Sequence, residues 1–165
     1  MVMTLKPVPL SRERFAAYGD VIETAEADRA AMNASRFERF DDQCTIDLAG
    51  DGRLAVSIAR CRVATTLPYR FDTIERHPLG SQAFVPLSRA SMIIVVAPPG
   101  EEVDPADLRA FVSNGRQGIN YHRGTWHMPL IGFEAGQEFL VIDRAPGEPN
   151  CEEQVLDEPV LLEAG

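Results

Sequence analysis

Short apolar segments separated by turn signals dominate the pattern along this chain. In 54–59 large apolar side chains alternate with small ones, which is the two-residue period of a half-buried strand. Pro- and Gly-containing turns follow at 98–100, 114–115 and 145–147. Further strands are predicted at 83–87, 91–97, 109–113, 130–133 and 138–142. This pattern predicts a mainly β fold, a sandwich or barrel able to hold a small-ligand cavity.

Helical signals are few. Ser11 to Tyr18 reads as one short helix, with Ser11 as its cap and Gly19 as its end. Residues 24–36 are rich in alanine and charge, and we expect a loop there that could include one helical turn. Asp104-Pro105 predicts a capped helical turn. Without repeats or a long linker, residues 1–165 are expected to form a single domain.

The charge of the chain excludes some partners. Its 25 acidic and 16 basic residues give a formal charge of -9, which disfavours nucleic acid and anionic membrane surfaces. The apolar run 92–99 is too short to span a bilayer, and the N-terminus lacks the apolar stretch of a signal peptide. Lys6 is the single lysine, so the other fixed cations are arginines, which bind carboxylates with two parallel hydrogen bonds.

Three cysteines, Cys44, Cys61 and Cys151, are far apart and form no CxxC pair. This argues against a zinc ribbon or a thioredoxin-type motif. We therefore expect reduced thiols and a cytoplasmic protein.

The three histidines fall in two short segments, and the first contains Glu75-x-His77. In a strand these side chains share a face, so the pair could bind a metal, or Glu75 could orient the imidazole as a general base. In a continuous strand Gln82, five residues after His77, would point to the opposite face. A bend at Pro78 and Gly80 could return Gln82 to the face of His77. Taken alone, the segment is explained slightly better as a solvated strand end with a hydrogen-bonded histidine.

The second segment carries His122 and His127, five residues apart rather than four as in a helical zinc motif. A turn at 123–124 would let both imidazoles face one cavity. Trp126 could form a wall of that cavity, although packing in the core is the commoner role of a tryptophan. Polar groups for a substrate would come from the neighbouring Tyr121 and Asn120.

The spacing resembles the two motifs of the cupin superfamily. Glu75, His77 and Gln82 fall near the places of His-x-His-x(3–4)-Glu. The stretch 122–127 is similar to Pro-x-Gly-x-x-His, except that His122 replaces the proline. Because the neutral Gln82 is a weak ligand, this resemblance implies a degenerate cupin centre. Such a centre would hold a metal loosely or work by acid–base chemistry instead.

A closer resemblance rests on longer segments. Residues 75–84 and 113–127 look like the bacterial ureidoglycolate lyase family, with support from 15–22 and 139–144 in the same order. Two departures stand out. Only Asn33 could carry over from the family's Asn-Asn-Gly stretch, and Met128 stands where the family often has a second histidine.

The resemblance implies a cupin-like jelly-roll fold, a homodimer and a place in allantoin and purine catabolism. The implied reaction splits (S)-ureidoglycolate into glyoxylate and urea. Members of the family are associated with a divalent metal, notably nickel. As an alternative to acid–base catalysis alone, Glu75, His77 and His127 could bind such an ion here, which is not strictly required.

This elimination needs a base, an acid and a cation for the carboxylate. We expect His77 or His127 as base, with Glu75 assisting, and hydrogen bonds from Tyr121 and His122 to the substrate. The expected substrate-binding residues are Arg76, Gln82, Asn120, Tyr121, Arg123, Trp126, Arg144 and Asn33. Strand parity turns Arg76 away from His77 and favours the other two arginines as anchors.

Other functions remain open at this point. A different small-molecule cupin enzyme, such as a metal-dependent isomerase or oxygenase, would need tight metal occupancy, against which Gln82 argues. A module that binds glyoxylate or ureidoglycolate without turnover would keep the pocket but not the chemistry. An amidohydrolase would release ammonia from the same substrate. A strand protein without a site would leave the histidine segments unexplained.

Overall fold

Strands make up most of the regular structure in the computed structural model, which describes residues 2–25 and 29–165. In these described residues there is one four-residue helix, α1 (Arg12–Phe15), and a short 3-10 helix at Pro105–Asp107. The strands are β1 (Thr4–Leu5), β2 (Val8–Pro9), β3 (Gly19–Ile22), β4 (Arg29–Met32), β5 (Phe37–Phe40), β6 (Leu54–Arg60), β7 (Tyr69–Arg76), β8 (Gln82–Pro86), β9 (Ile93–Ala97), β10 (Arg109–Val112), β11 (Gly118–Tyr121), β12 (Trp126–His127), β13 (Glu138–Arg144) and β14 (Glu152–Leu162).

Two sheets form a β-sandwich. The first has the strand order β1-β14-β7-β12-β9-β10-β2, and the second has the order β3-β11-β8-β13-β6. Buried side chains from both sheets, including Val96 of β9 and Phe139 of β13, form one hydrophobic core between them. The predicted mainly β, cupin-like sandwich is thus confirmed.

The interior strand β9 of the first sheet is buried on both faces. All five residues of β9 are buried, and alternate side chains enter different clusters: Ile94 faces the second sheet, and Val95 faces the opposite way. Trp126 belongs to that opposite cluster. Because neighbouring residues of a strand point to different faces, His127 faces the space between the sheets.

Most predicted elements are confirmed, although their bounds differ. Ser11 caps α1, but the helix ends at Phe15 because the chain turns there into β3. The expected strands over 54–59, 83–87, 91–97, 109–113 and 138–142 correspond to β6, β8, β9, β10 and β13. The capped turn at 104–105 is the 3-10 helix, where the Asp104 side chain accepts a hydrogen bond from the Ala106 N–H.

Two expectations were wrong. Residues 29–40 form a hairpin of β4 and β5 where a loop was expected over 29–36, while residues 26–28 of the same expected segment lie outside the described residues. Three successive tip residues, Asn33 to Ser35, have φ between 53° and 62°, which reverses the chain and is incompatible with a right-handed helix. The expected strand at 130–133 does not form, and the Gly132 carbonyl accepts a hydrogen bond from the Thr65 N–H instead.

The apolar face of β6 points away from the core. Leu54, Val56 and Ile58 are 43%, 63% and 55% exposed on this edge strand of the second sheet. The two-residue period of β6 was therefore predicted correctly. The face of β6 that packs toward the core, however, is the one that carries Ala55 and Ala59. In the described residues, no helix has the length and apolar character needed to cross a membrane.

Candidate active site

Strand register brings Glu75 and His127 together between the two sheets. Glu75 of β7 lies directly opposite His127 of β12, and His127 in turn lies opposite Val96. Directly paired residues project to the same face, and Val96 belongs to the core between the sheets. The carboxylate and the imidazole therefore enter that space side by side.

His77 completes a cluster of three potential ligands. It follows the last residue of β7, and its ring centroid lies 5.1 Å from that of His127. One side-chain atom from each of Glu75, His77 and His127 lies within 4.8 Å of the other two. His127 is 2% exposed and the Glu75 side chain is 20% exposed, so the cluster lies beneath the surface with Glu75 toward its mouth.

Backbone carbonyls determine the proton positions of both imidazoles. His127 Nδ1 lies 3.0 Å from the Thr125 carbonyl oxygen, and His77 Nδ1 lies 2.7 Å from that of Asn150. A carbonyl oxygen only accepts hydrogen bonds, so each Nδ1 carries the proton that it donates. In both rings Nε2 is buried and has no hydrogen-bond partner. Each Nε2 is therefore free to exchange a proton with a ligand or to bind a cation.

A positive charge is required where His127 meets Glu75. His127 Nε2 is 3.4 Å from Glu75 Oε1, at ion-pair distance but without hydrogen-bond geometry. A nitrogen lone pair facing a carboxylate oxygen is repulsive unless a proton or a metal cation lies between them. Two neutral imidazoles oriented by carbonyls and one carboxylate are a ligand set suited to a divalent transition metal. The residues therefore fit such an ion.

The surroundings shift the pKa of two groups in the cluster. Interaction with the adjacent His127 imidazole lowers the pKa of Glu75, while burial acts in the opposite direction. Tyr121 stacks on the His127 ring, with centroids 4.1 Å apart and 13° between the planes. Burial, reinforced by the charge of Glu75, raises the pKa of Tyr121 far above its usual range. The tyrosine therefore stays a neutral phenol.

Gln82 reaches the site from the second sheet, together with a residue that sequence reasoning missed. Gln82 lies opposite Tyr121 in the register of β8 and β11. Its Nε2 donates a hydrogen bond to Asp143 Oδ2 at 3.1 Å, while its buried Oε1 has no partner. The bend at Pro78 and Gly80 thus carries Gln82 into the facing sheet rather than back onto β7. Asp143 lies in the 139–144 segment, in which Arg144 was the predicted site residue.

Cys151 contacts the outer oxygen of Glu75. Its Sγ lies 3.5 Å from Glu75 Oε2, and Glu153 lies close to the same pair. Burial, together with the charge of Glu75, raises the pKa of Cys151 to about 11. No sequence signal distinguished this cysteine from Cys44 and Cys61, all of which are free thiols.

We expect Cys151 to be alkylated slowly. In a Cys44→Ser/Cys61→Ser background, iodoacetamide at pH 8 should modify it roughly tenfold more slowly than free cysteine. A raised pKa leaves little thiolate, and the higher nucleophilicity of that thiolate compensates only in part. The rate should rise with pH up to about 11. Glu75→Gln should accelerate the reaction, and an unchanged rate in that variant would contradict the role of the carboxylate.

His122 and Asn120 lie away from the cluster. Asn120 has the opposite parity to Tyr121 and projects from the outer face of β11, where its Nδ2 donates to Asp20 and to the Thr45 carbonyl. His122 is 45% exposed, and its Nε2 lies 3.0 Å from the other Asp20 oxygen. The turn at 123–124 does not bring His122 and His127 to one cavity.

The three candidate arginines are all paired elsewhere. Arg76 bonds to Glu152 and stacks over the Trp126 ring at 4.8 Å. Arg123 pairs with Asp47, and Arg144 bonds to the Ala49 carbonyl and to Glu148. Arg76 points away from His77, as strand parity indicates.

Trp126 and Asn33 are also distant from the cluster. Trp126 lies in the core on the other face of the first sheet, and its Nε1 donates to the Gly100 carbonyl. It therefore does not form a wall of the histidine cavity. Asn33 is exposed at the tip of the β4–β5 hairpin.

Comparisons with known proteins match nearly the whole chain. The sequence profile of the ureidoglycolate lyase family covers residues 2–163. A Pseudomonas aeruginosa (strain PAO1) protein named ureidoglycolate lyase is 43% identical over 162 residues, 97% of this chain and 96% of that protein. An Escherichia coli O9:H4 protein with the same name is 42% identical over 159 residues, 96% of this chain and 98% of that protein.

Proposed function

Because this chain belongs to the ureidoglycolate lyase family, we propose that it cleaves (S)-ureidoglycolate to glyoxylate and urea between its two sheets. The observation that carries this proposal is the pair of buried, unpartnered Nε2 atoms of His77 and His127 beside Glu75. Loss of urea from a hydroxy acid needs one group that takes a proton and one that gives a proton. Two imidazoles with free Nε2 atoms supply these roles.

The two histidines differ in a way that assigns the roles. His77 Nε2 has no hydrogen-bond partner and is not at ion-pair distance from Glu75 among the described pairs, so it is the base for the substrate hydroxyl proton. His127 Nε2 faces Glu75, and the carboxylate stabilises an imidazolium there, so His127 protonates the leaving nitrogen. The O–H electrons form the aldehyde C=O, the C–N bond breaks, and its electron pair takes the His127 proton. Transfer of a proton from His77 back to His127 restores the starting state.

The substrate carboxylate also needs a positive charge. The three candidate arginines are committed to Glu152, Asp47 and Glu148. The His127 imidazolium is one source of positive charge. A divalent ion such as Ni²⁺ is the other, and Glu75, His77 and His127 would hold it. When bound, it would supply charge for the carboxylate and polarise the hydroxyl.

The test is product analysis. Chelator-treated protein is incubated with racemic ureidoglycolate, with and without added nickel, and urea, ammonia and glyoxylate are quantified. Equal amounts of urea and glyoxylate, with half of the racemate consumed, are expected. Turnover without nickel would support the proton-transfer scheme, and turnover only with nickel would assign the three side chains to a metal.

Other product patterns would contradict the proposal. Ammonia without urea would indicate an amidohydrolase. No turnover in either arm, with the substrate still bound, would favour a binding module.

We further propose that the chain forms a homodimer through the outer face of its second sheet. Val56 and Ile58 are exposed on the edge strand β6, and their register partners Ile142 and Leu140 continue the apolar surface onto β13. An exposed apolar edge strand is an aggregation hazard when it is left uncovered. A second copy related by a two-fold axis would cover the same surface on both protomers.

Val56→Asp is expected to weaken this dimer by at least about thirtyfold in Kd, because an unpaired charge would lie at the centre of the interface. Analytical ultracentrifugation over a concentration series measures the effect. Val63→Asp is the matched control, since Val63 is 82% exposed and lies outside β6. If both variants remain as dimeric as the parent protein, the interface lies on another surface.

The proposed setting is the cytoplasm and the degradation of allantoin and purines. Three free thiols support a reducing compartment. The pathway follows from the substrate, a ureido derivative of glyoxylate.

A further inference from the structure

The amide of Gln82 presents only an acceptor to the interior. Its Nε2 donates to Asp143 Oδ2 at 3.1 Å, and its Oε1 is buried without a partner. A carboxylate accepts hydrogen bonds and donates none, so Asp143 fixes which end of the amide faces inward.

The position of the pair connects it to the histidine cluster. Ala83 is the register partner of Ile142, so the flanking Gln82 and Asp143 face each other across β8 and β13. Gln82 also lies opposite Tyr121, whose ring stacks on His127. The free oxygen of Gln82 therefore lies in the same inter-sheet space as the proposed acid and base.

A buried acceptor without a partner is costly, and a ligand N–H relieves that cost. The hydrogen-bond donors of ureidoglycolate are its hydroxyl, which the proposed scheme assigns to His77, and the N–H groups of its ureido group. Its carboxylate is an acceptor that Gln82 Oε1 would repel. We propose that Gln82 Oε1 accepts a hydrogen bond from the terminal NH₂ of the ureido group. Asp143 is a positioning residue that keeps this oxygen pointing inward.

This inference rests on the proposed function for its choice of substrate class. It adds a determinant of specificity, because the pair would select a carbamoyl group over an acyl group of the same shape. It also gives Gln82 a role that requires no metal.

Two uncleavable ligands test the inference by calorimetry. N-carbamoylglycine contains the ureido group and a carboxylate but no hydroxyl, so it cannot undergo the elimination. N-acetylglycine has a methyl group in place of the terminal NH₂. The parent protein should bind N-carbamoylglycine roughly tenfold more tightly, the ratio expected for one buried hydrogen bond.

Three variants exchange the amide and the carboxylate between positions 82 and 143, one at a time and then together. Asp143→Asn should remove most of the preference, because an amide can pair with either end of Gln82. Gln82→Glu alone should weaken binding of both ligands, since two carboxylates then face each other. The double variant Gln82→Glu/Asp143→Asn should restore the preference, because the amide introduced at position 143 would donate to one carboxylate oxygen and leave the other as an acceptor.

The possible results separate this inference from the proposed function. Equal binding of the two ligands by the parent protein overturns the inference, even if urea and glyoxylate are formed. If Asp143→Asn keeps the ligand preference of the parent protein, the positioning role of Asp143 is overturned. If the double variant binds N-carbamoylglycine as weakly as Gln82→Glu alone, the pair has a merely structural role. If the parent protein prefers N-carbamoylglycine but does not turn over ureidoglycolate, only the lyase assignment is overturned. Chelator is kept in all samples, so that Gln82→Glu does not act as a new metal ligand.

Discussion

Replacing His77 by alanine is expected to lower kcat/KM for ureidoglycolate by roughly 10²–10⁴-fold, the usual contribution of a positioned acid–base group. His77 donates its Nδ1 proton to the Asn150 carbonyl, which leaves Nε2 buried and unpaired as the proposed base. His127→Ala should have an effect of the same order, because it removes the proposed acid beside Glu75. The double variant should lose little more than either single variant, since the residues act as a unit.

His122→Ala is the matched control. This histidine is 45% exposed and is paired with Asp20 on the outer face of β11, so its loss should change kcat/KM by less than about threefold. Steady-state urea formation, with thermal unfolding to verify the fold, provides the measurement. Near-normal turnover in both His77→Ala and His127→Ala would remove the catalytic assignment.

Phe15→Ala is expected to destabilise the protein by about 3–5 kcal/mol, the cost typical of truncating a fully buried phenylalanine. Phe15 is 0% exposed and packs edge-on against Phe111 at 5.5 Å between centroids. It also contacts Tyr121, at 6.4 Å between centroids, which in turn stacks on His127. A cavity at this place should therefore lower activity as well as stability.

Phe37→Ala provides the control, since Phe37 is 59% exposed on the β4–β5 hairpin and should change the free energy of unfolding by less than about 0.5 kcal/mol. Urea denaturation at one fixed protomer concentration gives both values, because the proposed dimerisation would make the apparent stability depend on concentration. Comparable losses in the two variants would contradict the assignment of Phe15 to the core between the sheets.

Patterns within single segments predicted much of the fold. Strand-forming residues and turn signals indicated β6, β8, β9, β10 and β13, and Ser11 marked the start of α1. The short strands β1, β2 and β3 were not predicted, and neither were β11, β12 and β14. At only two residues β12 is too short for a periodic pattern, and the eleven-residue β14 is irregular, with a register shift between Val155 and Val160.

The candidate site was predictable only in part. The side chains of Glu75 and His77 lie close together because positions i and i+2 of an extended chain point to the same side. This relation is a local property of the sequence. His127 joins them because β12 lies between β7 and β9 in the first sheet. That order depends on pairing between segments far apart in the chain, which no local pattern records.

The sequence by itself determined the strand periodicity, the turns and the two histidine segments, because these depend on local residue preferences. Tertiary structure decided which side of each strand became interior. Leu54, Val56 and Ile58 point outward although they are the larger apolar set, and His122 and Trp126 are separated from the cluster that His127 joins. Contacts distant in sequence, such as Asn150 with His77 and Asp143 with Gln82, then set the hydrogen-bond polarity of the site. The physical reason is that alternation fixes only relative orientation, while burial depends on what the rest of the chain places against each face.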